Sequence, residues 1–405
     1  MNKFKKITIG AAMFMAVGLA AVPQVFALGF ANPDQDARAT GQGEAFVAQA
    51  DDASAIFYNP AGLTQIKGTE FTSGAYLSFV DEQQEGAGNS GEMNSMAFIP
   101  HLYLSSDLGM KNSPWRFGLG FNVPFGNVAD YNQNGPFKYL VTTARLEVLN
   151  IQPTVAYQVN DHLSLGAGLD VYYGDTALNR KINASPFPDG RLHFDGNGFG
   201  LGATAGLLWK ITEQHAIGIT YHSPFAIKFQ GTGILDTPAS NNQQPSHATI
   251  QFPQSIKGGY AFRPIPKLKL EADIEWINWD TLNSLILRSS GPLNGAAIPF
   301  NWKDSLYYEF GTQYDLTDHW ALRAGYIYSV NTVPTSTFSP SVPDSNRQVF
   351  SGGFGYSTPR YNIDLVYQYS LSEVRNVNLA HNGTAASGTW HSDDNAVMIT
   401  TSLKF

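Results

Sequence analysis

The 405-residue chain contains no cysteine, which excludes a disulfide scaffold and any thiolate metal site. Past residue 27 no run approaches ~18 apolar residues, so no segment reads as a membrane-spanning helix. Basic residues are the minority, 25 against 33 acidic, which argues against a nucleic-acid partner. There is no His-Glu-x-x-His spacing, no Gly-x-Ser-x-Gly elbow and no phosphate loop, so no catalytic residue, metal or cofactor is expected. Internal repeats, charge runs and low-complexity tracts are also lacking. What is plentiful is aromatic, with 26 Phe, 19 Tyr and 7 Trp in a chain that is 43% hydrophobic. So many aromatics without an apolar run imply dispersed alternation, the pattern of a transmembrane β-barrel.

Residues 1–27 read as a secretory signal. Lys3, Lys5 and Lys6 form a basic start, Ile7 to Val22 is apolar and small, and Val25-Phe26-Ala27 suits cleavage before Leu28. Residues 28–67 form a second unit, rich in Ala and Gly and without period-2 alternation. It is too short and too poor in large side chains to bury a core of its own, so it is expected to fold as a plug inside the barrel.

Residues 68–405 read as the barrel. In Arg360 to Leu371, Tyr361, Ile363, Leu365, Tyr367, Tyr369 and Leu371 alternate with Asn362, Asp364, Gln368 and Ser370. In Lys267 to Trp276, Leu268, Leu270, Ala272 and Ile274 alternate with Lys269, Glu271, Asp273 and Glu275. The alternation predicts fourteen strands: 68–80, 96–107, 115–125, 143–158, 162–175, 198–209, 214–230, 248–262, 267–279, 302–314, 318–330, 345–356, 360–371 and 392–405. The connections between them alternate short and long, as periplasmic turns and external loops do. The fold class is therefore all-β, a 14-stranded antiparallel transmembrane barrel with an N-terminal plug in its lumen. The expected location is a bacterial outer membrane, with lipid as a neighbour and a monomer as the expected state. Trp115, Trp279, Trp302, Trp320 and Tyr361 lie at strand ends and read as an interfacial girdle.

The plug block carries a resemblance. Gly29-Phe30, Ala37-Arg38-Ala39-Thr40-Gly41-Gln42-Gly43, Ala50-Asp51-Asp52-Ala53-Ser54-Ala55 and Phe57-Tyr58-Asn59-Pro60-Ala61-Gly62-Leu63 resemble the FadL/TodX family of outer-membrane channels. Weaker likeness runs through Gly118 to Gly126 and Asn150 to Tyr157. The resemblance implies passive uptake of hydrophobic compounds, gating by the plug, and lateral exit where the third strand kinks inward. It implies a fatty acid first and a neutral or aromatic hydrocarbon as the alternative.

Candidate gating residues are Leu28, Gly29, Phe30, Asp51, Asp52, Ser54, Asn59, Pro60 and Ala61. Asn59-Pro60 also reads as a simple turn, and the two aspartates as helix caps or as ties to basic wall residues. The candidate lateral opening is Phe121, Val123, Pro124, Phe125 and Gly126, since Pro124 cannot donate to a ladder and glycine tolerates strained backbone. Pro153 places a second proline in the next strand. Arg288, Arg323 and Lys269 are the candidate partners for a substrate head group, although no basic residue stands at the outer end of strand five, Tyr173-Gly174-Asp175. Two other functions compete. A general porin is disfavoured because porins constrict with an inward loop, and a lipid-modifying enzyme because His162-Leu163-Ser164 and Tyr221-His222-Ser223 lack an oriented third partner.

Overall fold

Alternation governs the chain from Thr69 onward because each strand has lipid on one side and a filled lumen on the other. On the strand Leu268–Ile277, Ile274 is 54% exposed while Asp273 is 1% exposed, and on the next, Phe310 is 52% exposed beside Glu309 at 0%. The computed structural model describes residues 29–86, 89–110, 112–238, 240–379 and 384–405. The signal expected over 1–27 and the candidate Leu28 lie outside the described residues.

The strands are β1 (Thr69–Gly86), β2 (Asn89–Ser106), β3 (Trp115–Asp130), β4 (Thr143–Gln158) and β5 (Leu163–Ile182). Then come β6 (Gly190–Lys210), β7 (His215–His222 and Phe225–Thr237) and β8 (Ser240–Phe252 and Ser255–Ile265). The wall continues with β9 (Leu268–Ile277), β10 (Ser305–Asp315), β11 (Trp320–Ser329), β12 (Arg347–Ser357), β13 (Tyr361–Ser372) and β14 (Gly388–Lys404). Pairing is antiparallel throughout, and β1 meets β14 from Glu70 opposite Lys404 to Glu85 opposite Thr389, which closes the barrel at fourteen strands. Closure of β14 on β1 removes the free end strands, the condition for a sheet to cross hydrocarbon, and leaves only the partial β2–β3 pairing described below.

The strands run longer on the loop side than alternation alone indicates. Residues 81–95 and 231–247, expected as loops, are largely strand: Gly86 pairs with Asn89, and Thr237 with Ser240. Above the bilayer neither face of a hairpin meets lipid, so polar sequences such as Gln243-Gln244 hold a ladder without showing apolar alternation. Trp115, Trp320 and Tyr361 are exposed on the outer surface, as a girdle requires. Trp279 and Trp302 are not girdle residues: both are buried in the interior aromatic cluster. Trp279 opens a 3₁₀ turn, Trp279–Thr281, where the strand has ended and its parity no longer applies.

Candidate functional site

Residues 29–66 lie against the inward faces of the strands, and small side chains make this possible. Ala37, Ala39, Ala45, Ala50, Ala53, Ala55 and Ala61 are fully buried, so the segment contributes little bulk and packs directly on the wall. Two short helices, α1 (Ala37–Thr40) and α2 (Ala55–Tyr58), are followed by the 3₁₀ turn Pro60–Gln65. Gly43 has φ +60° and approaches β11 so closely that a Cβ would stand 2.5 Å from the Tyr326 nitrogen. Four consecutive amides are held by two carboxylates of β9. Phe46 and Val47 donate to Asp273 Oδ2 at 3.0 and 3.1 Å, and Ala48 and Gln49 donate to Glu271 Oε1 at 2.6 and 3.3 Å.

The candidate gating residues take distinct places. Asp51 receives Lys269 of β9 at 2.8 Å and Arg38 at 3.1 Å, so it ties the segment to the wall. Those cations hold its carboxyl well below the usual range against the opposing effect of burial. Asp52 pairs with Arg38 at 3.4 Å and accepts from the Ser54 amide at 3.0 Å. Asn59 does two jobs. Its Oδ1 accepts from the Ala61 amide, capping the turn, and its Nδ2 donates to Val47 O at 2.7 Å and to Leu207 O of β6 at 3.0 Å. Pro60 and Ala61 lie over Gly206 and Gly166, where any Cβ would collide with them. Gly29 and Phe30 sit among Trp279, Trp302 and Phe300.

At the other end of the segment the wall is incomplete. β2 and β3 pair only from Ser106–Phe117 to Leu102–Phe121, so Ile99, His101 and their upward neighbours have no partner in β3. Just above, the β3–β4 register shifts between Asn122 and Phe125, with Val123 and Pro124 forming the bulge. Pro153 interrupts β4–β5 pairing without changing the register, so only one of the two prolines marks a shift. In place of β2, the N-terminal segment bonds the distorted stretch. Asn32 N donates to Pro124 O at 2.8 Å, and Gly126 N donates to Phe30 O at 2.9 Å. The Gln35 side-chain amide pairs with Val123 in both directions, donating at 2.9 Å and accepting at 3.1 Å.

Two cavities flank this stretch. The outer one, about 580 Å³ with its mouth, is lined by Phe30, Leu146, Phe194, Phe229, Ile250 and Phe300 among others. The inner one, about 770 Å³ with its mouth, is walled by Phe57, Pro124, Phe125, Tyr172, Phe225 and Ile277. Phe30 belongs to the outer cavity and Ala31, Asn32 and Pro33 to the inner, so these four residues form the partition. Phe225 stacks between Tyr172 and Phe252, with ring centroids 3.7 and 4.6 Å apart, which fixes an apolar wall.

A family model described as outer membrane protein transport protein (OMPP1/FadL/TodX) matches residues 18–405. The chain belongs to that family. Among its relatives is a long-chain fatty acid transport protein of Salmonella typhi, 23% identical, with 78% of this chain and 82% of that one covered. A Pseudomonas aeruginosa FadL homologue matches the fold at TM-score 0.84 and 21% identity, covering 93% of this chain and 100% of that one. The Pseudomonas putida toluene transporter TodX matches at TM-score 0.75 and 19% identity, covering 94% and 100%. This FadL/TodX member is thus an outer-membrane transport protein for hydrophobic substrates.

None of the three candidate head-group cations lines the inner cavity. Lys269 is engaged by Asp51; Arg323 is buried against Asp364 at 2.6 Å and Gln313 at 2.9 Å; Arg288 is exposed in the short strand Arg288–Ser289 paired with β8. The cation that does line it is Lys257, which sequence reasoning missed. Its signal was present: Ser255 and Lys257 alternate with the exposed Ile256, so Lys257 points inward. Lys257 Nζ meets Glu309 at 2.9 Å and Glu275 at 3.2 Å.

Proposed function

We propose that the chain is a passive channel in which residues 29–66 gate the lumen and the substrate leaves sideways between β2 and β3. The observation that carries this reading is the missing ladder above Leu102–Phe121, covered from inside by Phe30, Asn32 and Gln35. A hydrophobic molecule loses about 0.8 kcal/mol per CH₂ on entering water, so exit into lipid is far easier than exit into the periplasm. The outer cavity then receives the compound and the inner cavity, bordered by Pro124 and Phe125, delivers it to the gap. Uncharged compounds are the reading the geometry favours, because the inner cavity's one lysine already faces two carboxylates. A fatty acid is the second reading, supported by the name of the Salmonella relative.

The test is uptake of a labelled hydrocarbon by cells or vesicles carrying Pro124→Val with Gly126→Val, which should straighten β3. Uptake is expected to fall several-fold while heat-modifiable mobility on gels shows a folded barrel. Full uptake by a folded double variant would refute the exit site.

A further inference from the structure

The external connection between β11 and β12 does not stay beside its own strands. Its tip is the tight turn Ser339-Pro340-Ser341-Val342, closed by Val342 N on Ser339 O at 3.0 Å, with Pro340 presetting the backbone at the second position. That tip is bonded to the end of β3: Asn127 Nδ2 donates to Ser341 O and the Tyr131 hydroxyl to Pro340 O, each at 3.0 Å. Around the wall, β13, β14, β1 and β2 stand between β12 and β3, so the connection reaches β3 only by crossing the open end of the barrel. Ser341 and Val342 line the outer cavity there, and the buried Val342 packs in the same apolar cluster as Phe30. Thr337 Oγ1 donates to Phe300 O at 2.5 Å, which ties this strap to the β9–β10 connection, whose Leu285, Ile298 and Phe300 line the same cavity. The rest of the lining comes from β3 to β8 and from Phe30, so the two connections close the side that wall and N-terminal segment leave open.

One side chain holds the neck of the strap. Arg375, on a short strand paired with β14, donates to Asn331 Oδ1 at 3.1 Å, Val333 O at 2.7 Å and Thr335 Oγ1 at 3.3 Å on the outgoing arm. On the returning arm it donates to Asp344 O, and its guanidinium lies 4.9 Å from the centre of the Phe338 ring. Only a planar fork with several donors spans both arms at once; an ammonium does not. We propose that residues 331–345 are the entry cover of the outer cavity and that Arg375 is the positioning residue that keeps it in place. A compound arriving from outside then has to displace the strap before it meets the aromatic wall. The inference deepens the channel reading and rests on it. Every acceptor of Arg375 is neutral and the arginine itself is only half-buried, so water can replace these bonds one by one. The strap therefore lifts without leaving a buried ion unpaired, a step that would be far more costly.

The absence of cysteine from the chain makes the test direct. Ala248→Cys puts a single thiol on the outer cavity, and Ser255→Cys puts one on the inner cavity as a control. The rate of labelling by a membrane-impermeant maleimide is measured on intact cells. Labelling of Ala248→Cys is expected to be slow, and Arg375→Ala should speed it about tenfold, the effect of losing one or two hydrogen bonds that hold the closed form. Arg375→Lys should fall between the two. Tyr131→Phe, which loosens the far end and leaves Arg375 in place, should speed labelling about threefold, and it decides the matter if Arg375→Ala does not assemble. Labelling of Ser255→Cys should stay unchanged in all of these. Unchanged labelling of Ala248→Cys in the variants overturns the inference, as does equal acceleration at Ser255→Cys. Those results leave the channel reading standing. Dodecylbenzene should protect the Ala248→Cys thiol in the purified protein in lipid nanodiscs, and a lack of protection removes the channel reading and the inference together.

Discussion

Asp273 offers a measurable hold on the N-terminal segment. Its Oδ2 receives the amides of Phe46 and Val47, while Glu271 two residues earlier receives the next two. Charge-assisted hydrogen bonds of this kind contribute ~1.5–3 kcal/mol each, and water entering the vacated space returns part of that. Asp273→Ala should therefore weaken seating of residues 46–49 by about 3 kcal/mol, a change of roughly a hundredfold in the population of the unseated form. Hydrogen exchange at Phe46 and Val47 reads that population, and the frequency of ion-conducting events in planar bilayers reads its consequence. There is an opposing effect, since Asp273 stands beside Glu271 and its removal relieves repulsion. Asp273→Asn separates the two, because it removes the charge and keeps an acceptor. If hydrogen bonding dominates, Asn falls between Asp and Ala; if repulsion dominates, Asn slows exchange below the unaltered protein. Slower exchange in the Asn variant, or unchanged exchange and current in the Ala variant, would refute the reasoning.

The N-terminal segment should also respond to pH through Asp34, a buried residue that accepts from Gln368 at 3.0 Å and whose carboxyl burial raises to about 6. An acid whose folded pKa is raised stabilises the seated state fully below about pH 4 and loses that contribution as pH rises through about 6. Ion leakage should thus increase from pH 4.5 to pH 8, and Asp34→Asn should flatten the profile; a profile that Asn leaves intact counts against Asp34. Gly43→Val should unseat the segment by steric force, because a Cβ there meets the Tyr326 nitrogen at 2.5 Å in a left-handed backbone. Raised conductance from a folded barrel is expected, and unchanged conductance would show that β11 yields.

Much of the wall was legible in the sequence because a strand between lipid and a filled lumen writes its environment as period-2 alternation. Where that contrast fades the signal fades with it. The polar arms of 81–95 and 231–247 looked like loops because their ladders stand clear of lipid. Trp279 looked like girdle because strand parity was carried two residues past the strand end at Ile277. The cations were harder for a different reason. Whether Lys257, Lys269 or Arg323 is available depends on partners two strands away or in the N-terminal segment, as in Lys257 with Glu309 or Lys269 with Asp51. Such pairings follow from the closed register, which no single strand contains.

The same register argument joins the two openings of the proposed route. A sheet edge facing hydrocarbon leaves amides and carbonyls without partners, which lipid cannot supply. Along the gap, Val123 N, Val123 O, Pro124 O and Gly126 N are all satisfied by Phe30, Asn32 and Gln35. These residues are also the partition between the two cavities, or adjoin it directly. Moving the partition to admit a substrate therefore strips the same backbone groups that border the side opening. At ~1–3 kcal/mol for each buried group left unpaired, withdrawal without water or substrate to replace the bonds would cost several kcal/mol. On the proposed route the partition and the gap would therefore open together, because one short stretch of chain, Phe30 to Gln35, both separates the cavities and bonds the strand beside the gap.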